Sequence, residues 1–155
     1  MLSLPSLLAS LILLIRARLA QAPALPAVIV DGSNVMHWHD NIARVETLQE
    51  VIAALQQAGM APGVVFDANA GYKLTGRYLH DDTLSRVLGL PRARVMVVNK
   101  GEPADPTILK AARDHEARIV TNDRFRDWAA QFPDITQAGS LIRGGYRNGK
   151  LWLDL

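Results

Sequence analysis

AVIVDGSN, residues 27–34, decides the fold. Its first four residues are apolar without a break and stop at Asp31-Gly32, so Ala27–Val30 reads as a short strand buried on both faces. Strands of that kind belong to parallel sheets with helices above and below. Working outward, the same unit recurs. GVVF at 63–66 predicts a second strand, RVMVV at 94–98 a third and ARIV at 117–120 a fourth. Helical spacing fills the gaps. Residues 46–58 carry apolar side chains at 48, 51, 52 and 55 and stop at Gly59; residues 81–88 stop at Gly89. Residues 106–116 form a helix entered through Asp105-Pro106, and 124–130 a short one. Segments 140–143 and 150–153 flank the turn-rich GGYRNG and read either as a terminal hairpin or as a strand plus an edge strand.

Length and composition set the outer limits. The chain has 155 residues, 49% hydrophobic and 21% charged, enough for one domain with a substantial core. It contains no cysteine, which excludes a disulfide framework, a thiolate zinc site and a cysteine nucleophile. A net charge of +2 does not by itself imply a polyanionic partner. Thirteen of the 17 basic residues are Arg, suited to bidentate phosphate contacts, and eleven of the 15 acids are Asp. There is no repeat and no Gly-rich phosphate loop of the Walker or G-x-G-x-x-G type.

In parallel α/β sheets, ligands sit outside the carboxyl ends of the strands. Those positions here are acidic. Asp31-Gly32-Ser33-Asn34 follows the first strand and Asp67-Ala68-Asn69 the second. Asp105 opens the helix after the third. Thr121-Asn122-Asp123 follows the fourth, with Asp127 one helical turn on. Taken singly, Asp105 and Asp123 also read as helix caps, Asp31 as a turn residue and Asp127 as a solvated one. Together, unpaired carboxylates at one edge repel each other, and a divalent cation removes that conflict. Oxygen ligands without His or Cys select Mg²⁺ or Mn²⁺ over zinc.

The words around these residues sharpen the reading. VIVDGSNVMHWHDN (28–41) and ADPTILKAARDHEARIVTNDRFRDW (104–128) resemble the NYN-domain ribonucleases of the PIN-like superfamily, especially the Regnase-type branch. The resemblance spans about residues 27–155. It implies a PIN-like three-layer α/β sandwich with a mostly parallel sheet of about five strands, and a metal-dependent endoribonuclease. Carried over by position, Asp31, Asp105, Asp123 and Asp127 form the acidic metal cluster, and Asn34 orients the site. His39 and Asn41 fall where the branch has an HGN element, with Asp40 in place of its glycine. The branch commonly has two adjacent acids before the downstream helix. Here the first is Ala104, and Asp67 is the residue that could supply the missing charge. No zinc-finger extension is present.

Phosphodiester hydrolysis needs an activated water and neutralised charge on the phosphate, and a carboxylate-held Mg²⁺ serves both ends. Single-stranded RNA is the expected partner. Ser33, His39, Asp67, Lys73 and Arg124 are the expected substrate contacts, Lys73 and Arg124 because each lies just after a strand end. Arg77, Lys100, Arg126, Arg143 and Arg147 are further phosphate candidates, and Tyr72 or Trp38 could stack a base. Phe125, Trp128 and Trp152 are assigned to the core. Two rivals stay open: an RNA-binding PIN-like module with weak or no catalysis, for which Ala104 speaks, and a toxin-type PIN nuclease. A phosphatase using Asp31 as nucleophile would need an acid where Ser33 stands. A homo-oligomer is compatible with the sequence.

The amino-terminal segment differs from all this. Residues 2–15, LSLPSLLASLILLI, are uncharged and are followed by Arg16 and Arg18, and residues 21–26 form a Pro/Ala linker. Residues 1–20 are expected to be a membrane anchor that leaves the catalytic domain on the cytoplasmic side, because the bases follow the apolar run. A soluble helix and a signal peptide cleaved after Ala20-Gln21-Ala22 are the alternatives.

Overall fold

The computed structural model describes residues 4–20, 24–137 and 139–155; the start of the linker and most of the small-x-small pattern lie outside the described residues. The chain runs as α1 (Leu4–Ala20), β1 (Ala27–Asp31), α2 (Gly32–Val35), α3 (Val45–Gln57), β2 (Ala61–Phe66) and α4 (Ala70–Thr75). It continues as α5 (Asp81–Leu88), β3 (Val95–Val97), α6 (Ala104–Asp114), β4 (Arg118–Val120), β5 (Leu141–Ile142), β6 (Gly144–Arg147) and β7 (Lys150–Leu153).

The first five strands make one parallel sheet in the order β3-β2-β1-β4-β5. β1 is the central strand, and alternation along it explains the two helical layers. Val28 and Val30 enter one core with Leu48, Val51, Ile52 and Leu55 of α3 and Leu84 and Leu88 of α5. Ile29 enters the other with Ile108, Leu109 and Ala112 of α6, Phe125 and Ile135. The expected three-layer α/β sandwich with five strands is what forms.

Several local expectations are corrected. The helix expected over 106–116 starts two residues earlier, at Ala104, with Pro103 before it and no side-chain cap. Asp105 is therefore inside the first turn and not its cap. The helix expected over 124–130 shrinks to a single 3-10 turn at Arg126–Trp128. The third strand starts after a 3-10 turn at Arg92–Arg94. At the carboxyl terminus neither alternative forms as expected: residues 141–142 join the sheet as β5, a fifth parallel strand, while 150–153 pair with Gly144–Arg147, the stretch read as the turn, in a separate antiparallel hairpin. The short helices α2 and α4 were not expected, since neither is long enough to show a period.

Over residues 11–15, more than one full turn, α1 is wholly apolar. The consecutive residues Leu11, Ile12, Leu13, Leu14 and Ile15 are each more than half exposed. Its 17 residues extend ~25 Å at 1.5 Å per residue, short of the ~30 Å hydrocarbon layer. Among the described residues, no helix is long and apolar enough to cross a membrane.

Candidate active site

The strand order reverses between β1 and β4, which opens a crevice at their carboxyl ends. α2 starts immediately after β1. Only glycine permits this: a Cβ on Gly32 would lie 2.4 Å from the Phe66 ring at the end of β2. The tight exit leaves Asp31 buried, 6% exposed, with its carboxylate inside the crevice. One carboxylate oxygen accepts the Asn34 backbone N–H at 3.2 Å, and the other accepts the Thr121 hydroxyl at 2.9 Å. The Thr121 oxygen in turn accepts the Asp123 backbone N–H at 3.0 Å. Asp123 turns its own loop, accepting the Phe125 N–H at 2.8 Å, and so acts as a turn residue where a helix cap was considered. Its second oxygen and the exposed Asp127 remain at the rim.

Asn34 is held in place from two sides. Its side-chain carbonyl accepts the Trp38 indole N–H at 2.8 Å and the Asn122 backbone N–H at 3.0 Å. That arrangement fixes the amide and leaves its NH₂ group without a partner among the described residues. Ser33 ties β1 to β2 by accepting the Asp67 N–H at 2.9 Å.

The carboxyl groups act on one another. Asp31 is pushed up to about 6, first by burial and then by Asp105 and Asp67, against the pull of its two hydrogen bonds. Asp105 is also raised, first by burial, with Asp123, Asp67 and Asp127 repelling its charge and the Trp128 indole partly offsetting them. Five Asp from four strand exits therefore share one field. Ala104, which replaces the branch's first acid, is buried in the α6 core, and Asp67 acts on both Asp31 and Asp105 from the neighbouring strand. As the side chains stand, no three Asp, Glu or His among the described residues are close enough to share one ion. The four-Asp cluster is thus not a closed cage. Mg²⁺ does not need one, because it retains several waters and takes only one or two carboxylates directly. An all-oxygen donor set whose carboxyls are raised first by burial and then by one another's charge fits such a water-rich site.

Other expected residues lie elsewhere. His39 stacks on Tyr146 of the hairpin, ring centroids 4.2 Å apart and 7° from parallel, and Tyr146 donates to Glu50 at 2.6 Å. Asp40, where the resemblance has a glycine, adopts a left-handed conformation with φ of 57°. Lys73 and Arg124 are both exposed near the strand exits. Trp38 is not a free stacking surface, since its indole is bonded to Asn34 and its ring lies against Gly144. Arg143 is likewise occupied: one guanidinium nitrogen donates to the carbonyls of Thr121 and Asp123 at 3.1 and 2.6 Å. Trp152 is not core but lies half-exposed on the hairpin under Arg147, 4.6 Å from its ring centroid.

Sequence reasoning missed four supports: the Thr121 hydroxyl, the Asn122 amide bonded to Gly144, Arg143 as a loop clamp, and Trp38 as the Asn34 partner. The juxtaposition of TND with the DGSN turn was the only available signal. It exists only because β1 and β4 are neighbours.

Fold and site define a PIN-like nuclease domain. The chain matches the Zc3h12a-like ribonuclease NYN domain over residues 24–143 and belongs to that family. No curated protein matches it. Among solved structures, two of the nuclear protein-only RNase P 2 (PRORP2) of Arabidopsis thaliana match, at TM-scores of 0.63 and 0.64 and identities of 19% and 18%. They cover 90% and 91% of this chain, which in turn spans 31% and 32% of theirs, about a third. At those identities the likeness is one of fold.

Proposed function

We propose that this domain is a metal-dependent endoribonuclease acting on single-stranded RNA. The observation that carries the reading is Asp31: a carboxylate buried at the sheet's switch point, raised to about 6 by that burial, with Asp105 and Asp67 adding repulsion. Its two hydrogen bonds cap α2 and tie it to β4, yet no base offsets its charge, and the charges that act on it are those of two acids, Asp105 and Asp67. Asp31, Asp105, Asp123 and Asp127 are the residues that would hold Mg²⁺ or Mn²⁺. When bound, the ion supplies Lewis acidity to the phosphate and activates water.

The chain's own groups do the rest. Thr121 and the Asn34 backbone hold the Asp31 carboxylate in one orientation. The free Asn34 NH₂ is a donor for a non-bridging phosphate oxygen, and exposed Lys73 and Arg124 grip flanking phosphates. Asp67 adds negative charge next to Asp31 and Asp105, charge that would help hold a cation where Ala104 supplies no acid. No side chain need form a covalent bond to RNA.

The test is incubation of labelled single-stranded RNA with Mg²⁺, Mn²⁺ or EDTA. The expected products carry 5′-phosphate and 3′-hydroxyl ends and appear only with the metal. Cutting that survives EDTA, or ends bearing 2′,3′-cyclic phosphate, would overturn the mechanism, the second outcome because it signals attack by the ribose hydroxyl.

We further infer that α1 attaches the domain to the cytoplasmic face of a membrane. Five consecutive exposed apolar residues leave no polar side to face water. Arg16 follows directly, a cation suited to the anionic surface of the cytoplasmic leaflet. The chain enters β1 at the end of the sheet opposite the carboxylates, so the RNA-facing edge points away from its attachment.

A further inference from the structure

Beyond the carboxylates, the same edge of the sheet carries a group of exposed rings that the chemistry above does not use. Tyr72 lies on α4, which leaves the end of β2 just after Asp67, and is 57% exposed. Tyr78 follows in the next loop at 41% exposed, and His80 is exposed at the start of α5. The Tyr72 and Tyr78 centroids are 6.4 Å apart with planes tilted by 53°. Tyr78 meets the His80 ring edge-on at 4.7 Å and 86°. The chain has three tyrosines in all, and the third, Tyr146, is committed to Glu50 and His39.

The backbone holds these rings in place. Gly76 reverses the chain after α4 with φ of 78°, its N–H bonded to the Tyr72 carbonyl at 2.9 Å. Gly71 lets the returning strand touch the helix: a Cβ there would lie 2.4 Å from the Leu79 backbone nitrogen and 2.8 Å from the Arg77 carbonyl. Leu79 is buried beneath, and the Thr75 hydroxyl donates to the Gly71 carbonyl at 3.0 Å. The rings are thus presented on a fixed loop. Their surroundings are basic. Lys73 and Arg77 flank them and are exposed, while the acids that follow, Asp81 and Asp82, are both taken by Arg92 at 3.0 and 2.7 Å.

Exposed aromatic rings beside cations, along the path away from a phosphodiester site, are the recipe by which proteins hold an unpaired strand. Bases stack on the rings and the cations follow the backbone. We propose that Tyr72, Tyr78 and His80 form a stacking platform for unpaired RNA bases, with Lys73 and Arg77 on the adjoining phosphates. The inference rests on the ribonuclease reading and deepens it: the platform selects single strands over duplex, because paired bases offer no open face. Tyr72 is five residues from Asp67 and therefore within ~18 Å of it. A strand a few nucleotides long spans both sites.

Fluorescence anisotropy with the full chain in EDTA tests this, using a labelled twelve-residue oligouridine and an RNA duplex of equal length. Replacing both tyrosines (Tyr72→Ala with Tyr78→Ala) is expected to weaken the single strand ~10-fold or more, with Trp at both positions retaining affinity. Duplex affinity should change less than twofold. Arg77→Ala should reduce the salt dependence of strand binding by about one charge. The rings are exposed, so the variants should melt with the wild type. A companion pair, Tyr72→Leu with Tyr78→Leu, keeps apolar bulk without a π face and should lose affinity as the Ala pair does. Unchanged strand affinity in the Ala pair, equal losses on strand and duplex, or full affinity in the Leu pair would each overturn the platform. Adding Mg²⁺ separates the two readings. Wild-type cutting with unchanged strand binding in the Ala pair sinks the platform alone. Ring-dependent binding without any wild-type cutting supports the platform and sinks the nuclease reading.

Discussion

Asp31 is where stability and function oppose each other. Its carboxyl is raised from 3.8 to about 6 in the folded state, so the fold prefers it protonated. For an acid shifted in this direction, the stabilising contribution is present below about 4 and lost as pH rises through about 6. At neutral pH the ionised form costs the fold up to ~3 kcal/mol. Asp31→Asn keeps an acceptor for the Asn34 N–H and removes the charge. It should raise unfolding free energy by ~1–3 kcal/mol at pH 7.5 in EDTA, a gain that fades by pH 4. Urea titrations of both proteins at the two pH values measure this, and a variant less stable than wild type at pH 7.5 would contradict it. The same substitution should abolish RNA cleavage. Asp123→Asn separates ligand from turn former at the rim. Asn can still accept the Phe125 N–H, so melting should be unchanged while cleavage falls ~100-fold or more. Activity near wild type would return Asp123 to a purely structural role.

Among the elements, the terminal hairpin β6–β7 governs the site without contributing to its chemistry. Gly144 lies against the Trp38 ring, and a Cβ there would come within 2.3 Å of it and within 2.7 Å of Leu153. Trp38 cannot yield without releasing the Asn34 carbonyl, and Asn122 is bonded in both directions to the Gly144 backbone. Gly144→Ala should therefore cost ~1–3 kcal/mol of stability and most of the cleavage rate. Combining it with Asn34→Ala tests the route. If the hairpin acts through the Asn34 amide, the two losses in rate fall well short of additive. Fully additive losses would show an independent effect.

At the scale of the whole molecule, the chain enters β1 at the end of the sheet opposite the carboxylates, and the attachment proposed for α1 can be tested separately from the site. Among the described residues, both cores are built from positions 27 onward. A chain starting at Ala22 should therefore melt as the full protein does and cut RNA at an equal rate in solution. It should fail to float with liposomes, whereas the full chain floats. Flotation of both, or of neither, would refute attachment through α1.

Strand 27–30 was readable because an uncharged apolar run of four ended by Asp31 permits little else, and strand 117–120 because Ile119 and Val120 stop at Thr121 despite Arg118; the acids just beyond these exits could be read off directly. The four-residue α2 and the six-residue α4 were not, since less than two turns carries no period. The helix start at Ala104 escaped because Asp105-Pro106 mimics a cap, while burial of Ala104 and Ile108 sets the true boundary. Composition and local order thus determined the fold class, the acidic edge and the apolar leader. Tertiary structure alone decided that β4 lies beside β1, so that a threonine 90 residues away donates to Asp31 and a hairpin glycine sets the angle of Trp38 against Asn34. The reason is physical: periodicity reports which face of an element is apolar, but partners across a crevice are selected by packing between elements distant in sequence, which leaves no local trace.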